Sequence, residues 1–156
     1  MKKNDLVGKL FIVPLMNKGF TIGLVARQDR NILLGYFFDI YFSQKPSIIE
    51  NSMINKDNVC LICLFGILGL KNKEWTIIGD LPNWNKNEWI VPTFKQKDPL
   101  LECYYAINYN DELNEVSRMK INTDDAQSLY NAGVHGSGIV ESILLDKVKI
   151  PLQVAP

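Results

Sequence analysis

The single histidine of the chain is the first candidate for a catalytic residue. His135 lies in NAGVHGSG, where glycines indicate a flexible turn, and Ser137 follows it. A serine–histidine–aspartate triad with Ser137 and His135 is possible in principle, but the sequence spacing does not indicate which aspartate would complete it. The glycines resemble a phosphate-binding loop only loosely, because no Lys-Ser/Thr pair follows them. We therefore interpret His135 as a surface or capping residue and expect no catalytic site.

The three cysteines offer thiol or metal chemistry. Cys60 and Cys63 form a C-x-x-C pair inside VCLICLFGILGL, the most apolar run of the chain. Zinc needs about four ligands, and only Cys103 and His135 remain to complete a set. The pleat of a strand would also send Cys60 and Cys63 to opposite faces. We expect reduced core thiols in a cytoplasmic protein, with no metal and no cofactor.

All three tryptophans lie in WTIIGDLPNWNKNEWIVPTF, residues 75–94. Trp75 belongs to a strand-like run and is predicted to lie in the core. Trp84 and Trp89 lie in a polar loop bracketed by two prolines. Rings in such a loop either pin it to the core or anchor an interface. Both interpretations remain open for Trp84 and Trp89.

Charge is balanced over the whole chain but uneven along it. Lys plus Arg and Asp plus Glu both number 17, which argues against a direct nucleic-acid binder. Residues 1–30 have a basic surplus and residues 101–130 an acidic one. These are either two solvated faces or an acidic surface directed at a basic partner. On the second interpretation, the candidate partner-binding residues are Trp84, Glu88, Asp111, Glu112, Glu115, Asp124 and Asp125.

The elements that must position these residues are mostly strands. KLFIVPL and GFTIGLVAR, joined by MNKG, predict a β-hairpin, and NILLGYFFDIYF predicts a third strand. Pro14 predicts that its strand is an edge strand, or else that Pro14 marks a bulge. Further strands are predicted from VCLICLF, EWTIIG, LECYYAINYN and NEVSRMKIN.

The last third of the chain predicts helices. TDDAQSLYNAG predicts a short helix with Thr123 as N-cap and Gly133 at its end. GSGIVESILLDKVKIP predicts a second helix, with a strand over residues 139–150 as the alternative. The sum is an α+β single domain over residues 1–156. The N-terminal part is predicted to be a twisted antiparallel sheet with meander topology, and closure of this sheet into a barrel is a variant of the prediction. The helices are all predicted to lie after residue 122 and to pack on the sheet. We expect no signal peptide and no membrane span.

Two blocks of the sequence resemble immunity protein 26, a family encoded beside toxin genes in bacterial polymorphic toxin systems. The blocks are GKLFIVPLMNKGFTIGLVA and WTIIGDLPNWNKNEWIVPTFKQKD, and together they span residues 8–98. The matching positions are Gly8, Phe11, Pro14, Leu15, Gly19, Gly23, Val25, Trp75, Ile78, Gly79, Trp89, Pro92 and Phe94. Trp84 does not fall on a matching position.

The resemblance implies an α+β binding protein without catalysis that neutralises a cognate toxin in the cytoplasm of the producing cell. Trp75 and Trp89 would then be packing residues, and Trp84 the better candidate for a contact. A nuclease, or another toxin with a basic cleft, would suit the acidic residues. The alternative hypothesis is a small-ligand or nucleic-acid binding module on a small β-sheet. We expect no membrane partner.

Overall fold

The structure is a computed structural model that describes residues 5–151. Lys2 and Lys3 of the basic N-terminal segment lie outside the described residues. The strands are β1 Lys9–Pro14, β2 Phe20–Asp29, β3 Ile32–Phe38, β4 Val59–Gly66, β5 Thr76–Asp80, β6 Phe94–Lys97, β7 Tyr104–Tyr109, β8 Glu115–Ile121, β9 Tyr130–Asn131 and β10 Val134–His135. The helices are α1 Leu68–Lys71, α2 Thr123–Ala126 and α3 Ser137–Lys147. This confirms the α+β class.

The first sheet has the strand order β10-β4-β3-β2-β1-β5. Strands β1 to β4 form the predicted antiparallel meander. The interpretation of Pro14 as a marker of an edge strand is wrong, because β5 pairs with the other side of β1. That pairing ends at Ile12, so Pro14 has no ladder hydrogen bond to donate there. The alternative, a bulge marked by Pro14, is also wrong, because β1 and β2 pair in regular register up to Pro14 and the bulge in the pairing with β5 lies between Leu10 and Phe11.

A second sheet, in the order β8-β7-β6-β9, corrects the prediction of a single sheet. Strands β6 and β9 were missed because FKQK is short and polar, and because YN joins by a two-residue parallel pairing with no local signal. The variant of a barrel-like closure is also wrong. Each sheet remains open within residues 5–151, with β5 and β8 among the edge strands.

The helices agree with the prediction only in part. α3 is a helix and not a strand, and it buries Val140 and Leu144. α2 ends at Ala126 instead of running to Gly133, because residues 130–131 pair with β6. Its N-cap is Asn122 and not Thr123, since the Asn122 side chain accepts a hydrogen bond from the Asp125 amide. α1 lies before residue 122, contrary to expectation. No helix in the described part of the chain is long and apolar enough to cross a bilayer.

The first sheet is buried on both faces, which explains why β2 is buried along almost its whole length. Each face carries one cluster of buried apolar side chains. We call the cluster on the face covered by α3 the first core, and the cluster on the face covered by the second sheet and the tryptophan-bearing loop the second core. Phe11, Phe37, Phe65, Trp75, Val140 and Leu144 belong to the first core. Ile22, Leu24, Tyr36, Phe38, Trp89 and Phe94 belong to the second.

Trp75 lies at the centre of the first core, as predicted. Its side chain is 1% exposed, and its ring stacks on Phe11 with centroids 5.5 Å apart and planes 4° apart. Phe37 and Phe65 contact other parts of the indole. Gly23 lies below Phe11, where an added Cβ would approach the ring to 2.3 Å. A glycine is therefore required for the aromatic layer to rest on the sheet.

A β-bulge corrects one expectation about the cysteines. Phe37 pairs with Leu61 and Phe38 with Val59, so Cys60 is the extra residue of β4. The bulge breaks the alternation of side chains. Cys60 and Cys63 consequently contact the same first core instead of opposite faces. Burial raises the pKa of the Cys60 thiol to about 11 and that of Cys63 to about 12.

All three cysteines are free. We expect titration of the unfolded protein in the absence of reductant to give three thiols per chain. In the folded protein, Cys63 should react with a thiol reagent only as fast as the core opens, because the nucleophilic thiolate is suppressed by burial. Fewer than three thiols after unfolding would contradict the reduced state.

Candidate functional site

The site is built around Arg27, a residue that the sequence analysis did not single out. Val25 pairs with Gly35 and Arg27 with Leu34, so Ala26 is the extra residue of a bulge in β2. Because of the bulge, the Arg27 side chain lies on the face of the second core. In a regular strand, the alternation of side chains would place it on the opposite face. The only available signal was an arginine inside a strand that is apolar on both faces.

The Arg27 guanidinium connects the tryptophan loop, residues 81–92, to β2 and to the β7–β8 turn. Its Nη1 donates to the carbonyls of Ala26 (2.7 Å) and Trp89 (3.0 Å), and Nη2 donates to the carbonyl of Lys86 (3.1 Å). Nε donates to Asp111 Oδ1 at 3.0 Å. Arg27 is 6% exposed, so these are the partners that compensate for its burial.

A second set of contacts holds the far half of the tryptophan loop. Trp89, which is 4% exposed, packs edge-on against Tyr36 (5.2 Å) and Phe38 (5.9 Å). The Tyr36 hydroxyl donates to the carbonyl of Ile90. Burial raises the pKa of Tyr36 to about 12, so it stays a hydrogen-bond donor at neutral pH. Trp89 is thus a packing residue, and the tryptophan loop is fixed along its length.

Trp84 is the tryptophan that is left partly open. It is half-buried, and its ring lies over Gly8, where an added Cβ would come within 3.2 Å of the Trp84 Cγ. Trp84 also borders a cleft of about 690 Å³. The cleft is lined by Val7, Ala26, Arg27, Trp84, Asn85, Lys86, Asn87, Asp111 and Glu112.

The charges of this cleft balance. Arg27 and Lys86 face Asp111 and Glu112. Both cations bind Asp111, with Lys86 Nζ 3.1 Å from Oδ2. Hydrogen bonds from Lys86 and Arg27 lower the pKa of the Asp111 carboxyl. Asp111 is therefore engaged within the protein, and Glu112 is the cleft acid with no cation bound to it in the described structure.

The structure brings together only three of the seven predicted partner-binding residues, Trp84, Asp111 and Glu112. Glu115 follows the same turn, but its carboxylate binds Arg118 at 2.8 Å, which lowers its pKa. Glu88 borders a different cavity, beside Lys56 and Tyr130.

The other two predicted residues, Asp124 and Asp125, open α2. α2 follows the far end of the β7–β8 hairpin, where Tyr104 pairs with Ile121. The hairpin separates them from its turn by roughly 16–20 Å, at the rise of a strand. The acidic surplus of residues 101–130 is therefore divided between two ends of the second sheet.

The comparisons with known proteins give one finding. The family model described as immunity protein 26 matches residues 7–103, which is more than half of the chain. The chain belongs to the immunity protein 26 family. Comparison with curated proteins and with solved structures gives no match.

The immunity protein 26 match divides the cleft in two. It includes β1 to β6 and the tryptophan loop, and with them Arg27 and Trp84. It ends at residue 103, before the β7–β8 turn that supplies Asp111 and Glu112. The cleft thus joins the family framework to a turn outside the matched range. Within residues 5–151, no three His, Cys, Asp or Glu side chains are grouped so as to hold a metal ion.

Proposed function

We propose that this protein neutralises a cognate bacterial toxin by binding it through the cleft beside Trp84, without catalysis, in the cytoplasm of the producing cell. Membership of the immunity protein 26 family supports a toxin as the partner. The observation that carries the choice of surface is the half-buried Trp84, displayed by a loop that Arg27 fixes from below.

A rigid tryptophan is well suited to anchor an interface. Residues that dominate binding are enriched in tryptophan and arginine and lie in pockets from which the partner excludes water. Ordering a loop on binding opposes association, and a loop already held by buried hydrogen bonds avoids most of that loss. Trp84 meets both conditions, since Gly8 supports its ring and Arg27 binds the carbonyls of Lys86 and Trp89.

Because positive and negative side chains balance in the cleft, we expect electrostatic attraction to contribute less to toxin binding than the Trp84 contact. Asp111 is already bound by two cations, so the cleft does not present a row of free carboxylates to a basic toxin. Glu112 remains as a rim charge, which acts mainly on the rate of association. Exposed charges of this kind contribute about 0–1 kcal/mol each. The aromatic anchor should therefore outweigh any single acid.

We expect Trp84→Ala to weaken binding of the cognate toxin by about 2 kcal/mol or more, the loss typical of a central anchor. Trp84→Phe, which keeps an aromatic ring over Gly8, should recover part of this loss. The measurement is the dissociation constant with the toxin encoded beside the gene. Thermal unfolding of both variants would separate a lost contact from lost folding.

Two charge variants serve as matched controls. Glu112→Lys should slow association at low salt and lose that effect at high salt. Asp124→Lys/Asp125→Lys, at the other end of the second sheet, should leave toxin binding unchanged. If the Asp124/Asp125 variant weakens binding while folded Trp84→Ala binds normally, the toxin is met at α2 and the cleft is wrongly assigned.

A further inference from the structure

A separate cavity of about 430 Å³ lies where the two sheets meet α3. Its walls are β4, Lys95 of β6, residues 127–131, His135 of β10, and Ile143 and Lys147 of α3. It shares no lining residue with the cleft beside Trp84. Its volume lies in the range of small-molecule sites, about 300–1,000 Å³.

The charged groups of this cavity all have one sign. Lys95 and Lys147 line it, and within the described part of the chain no aspartate or glutamate does. Among the described residues, neither lysine forms an ion pair with a carboxylate. The nearby Asp39 lies outside the lining and accepts a hydrogen bond from the Lys149 amide. In a chain with zero net charge, a cavity whose charged side chains are both lysines favours an anion.

Both lysines are placed by aromatic rings. Lys95 Nζ lies 5.6 Å from the centroid of Tyr104, and Lys147 Nζ lies 6.0 Å from that of Tyr130, which also lines the cavity. Cation–π contacts of this kind restrict a lysine without neutralising its charge. The two ammonium groups therefore remain available to an incoming anion.

The remaining lining is of two kinds. Ile62 of β4, Ile143 of α3 and Leu129 supply apolar groups, whereas Leu61 and Cys63 are largely buried in the first core. Ser128 and Asn131 add uncharged polar groups. Because both apolar and polar groups line the cavity, it offers an organic anion contacts that a bare ion would not use.

We propose that this cavity binds a small organic anion, with its phosphoryl or carboxyl group between Lys95 and Lys147 and its apolar body against β4. Lysine binds phosphate as a compact point charge and carboxylate in the same way. The proposal is independent of the toxin, because the cavity and the Trp84 cleft have no residue in common.

The test is calorimetric titration of the full chain with phenyl phosphate, benzoate, inorganic phosphate and phenol. Phenyl phosphate or benzoate should bind saturably, inorganic phosphate more weakly, and uncharged phenol not at all. Lys95→Gln and Lys147→Gln should each weaken binding by about tenfold, the effect of losing one charge-assisted contact. Lys97→Gln, on the same strand but outside the cavity, should change nothing.

Chemical-shift mapping locates the binding. With either aryl anion, the shifts should concentrate at residues 127–131, at His135 and at Ile143. The proposal is overturned if neither phenyl phosphate nor benzoate saturates, or if inorganic phosphate binds as tightly as the better of the two. It is equally overturned if folded Lys95→Gln and Lys147→Gln bind no worse than Lys97→Gln.

Discussion

Replacement of Arg27 by methionine is expected to lower the free energy of unfolding by about 3 kcal/mol, through loss of the hydrogen bonds to three main-chain carbonyls. Methionine fills a similar volume but donates nothing. The carbonyls of Lys86 and Trp89 would lose their partner, and the tryptophan loop would separate from β2. Chemical denaturation gives the energy, and hydrogen exchange of residues 81–92 reports the release of the loop.

The matched control for this variant is Arg118→Met. Arg118 also binds a carboxylate and a side-chain amide, but its side chain is 40% exposed. Its replacement should change stability by no more than about 1 kcal/mol, as for other surface ion pairs. Equal small losses for the two variants would show that the tryptophan loop stays in place without Arg27.

Truncation of Trp75 to alanine is expected to destabilise the protein by about 3–5 kcal/mol, the range for removing a buried aromatic side chain. The indole contacts Phe11, Phe37 and Phe65, so its loss would leave a cavity at the centre of the first core. The measurement is denaturant unfolding followed by far-UV circular dichroism.

A neighbouring residue of β5 provides the comparison for Trp75. Ile77 is 40% exposed, and Ile77→Ala should cost about 1 kcal/mol or less, as is usual for surface substitutions. Near-wild-type unfolding of Trp75→Ala would mean that the aromatic layer repacks without it and that the first core does not depend on the indole.

Local pattern was enough to predict several parts of the fold. The hairpin of β1 and β2, the burial of Trp75 and the helix α3 all follow from alternation, turn residues or helical periodicity. These signals lie within a few residues of one another. The family resemblance over residues 8–98 also agrees with the matched range of 7–103.

The site was harder to predict because its geometry depends on non-local features. A single bulge at Ala26 changes the face on which the Arg27 side chain lies. A bulge of this kind cannot be predicted from the residue types in the strand. Asp111 binds Arg27 across 84 positions of the chain, so the acidic surplus of residues 101–130 could not reveal that Asp111 already binds a cation. The separation of Asp124 and Asp125 from Glu112 likewise depends on the hairpin between them.

The short pairing of β10 with β4 bears on aggregation. β4 carries VCLICLFG, a run of high β-propensity without charge, and it would otherwise form a free edge of the first sheet. An exposed edge of this kind is a template for strands of other chains. Val134 and His135 occupy the positions opposite Leu64 and Phe65, and the bulge at Cys60 distorts the other half of the edge. Because these partners lie far apart along the chain, we expect the edge to be covered late in folding. Until then, the newly synthesised chain would expose the edge of its most apolar strand to aggregation.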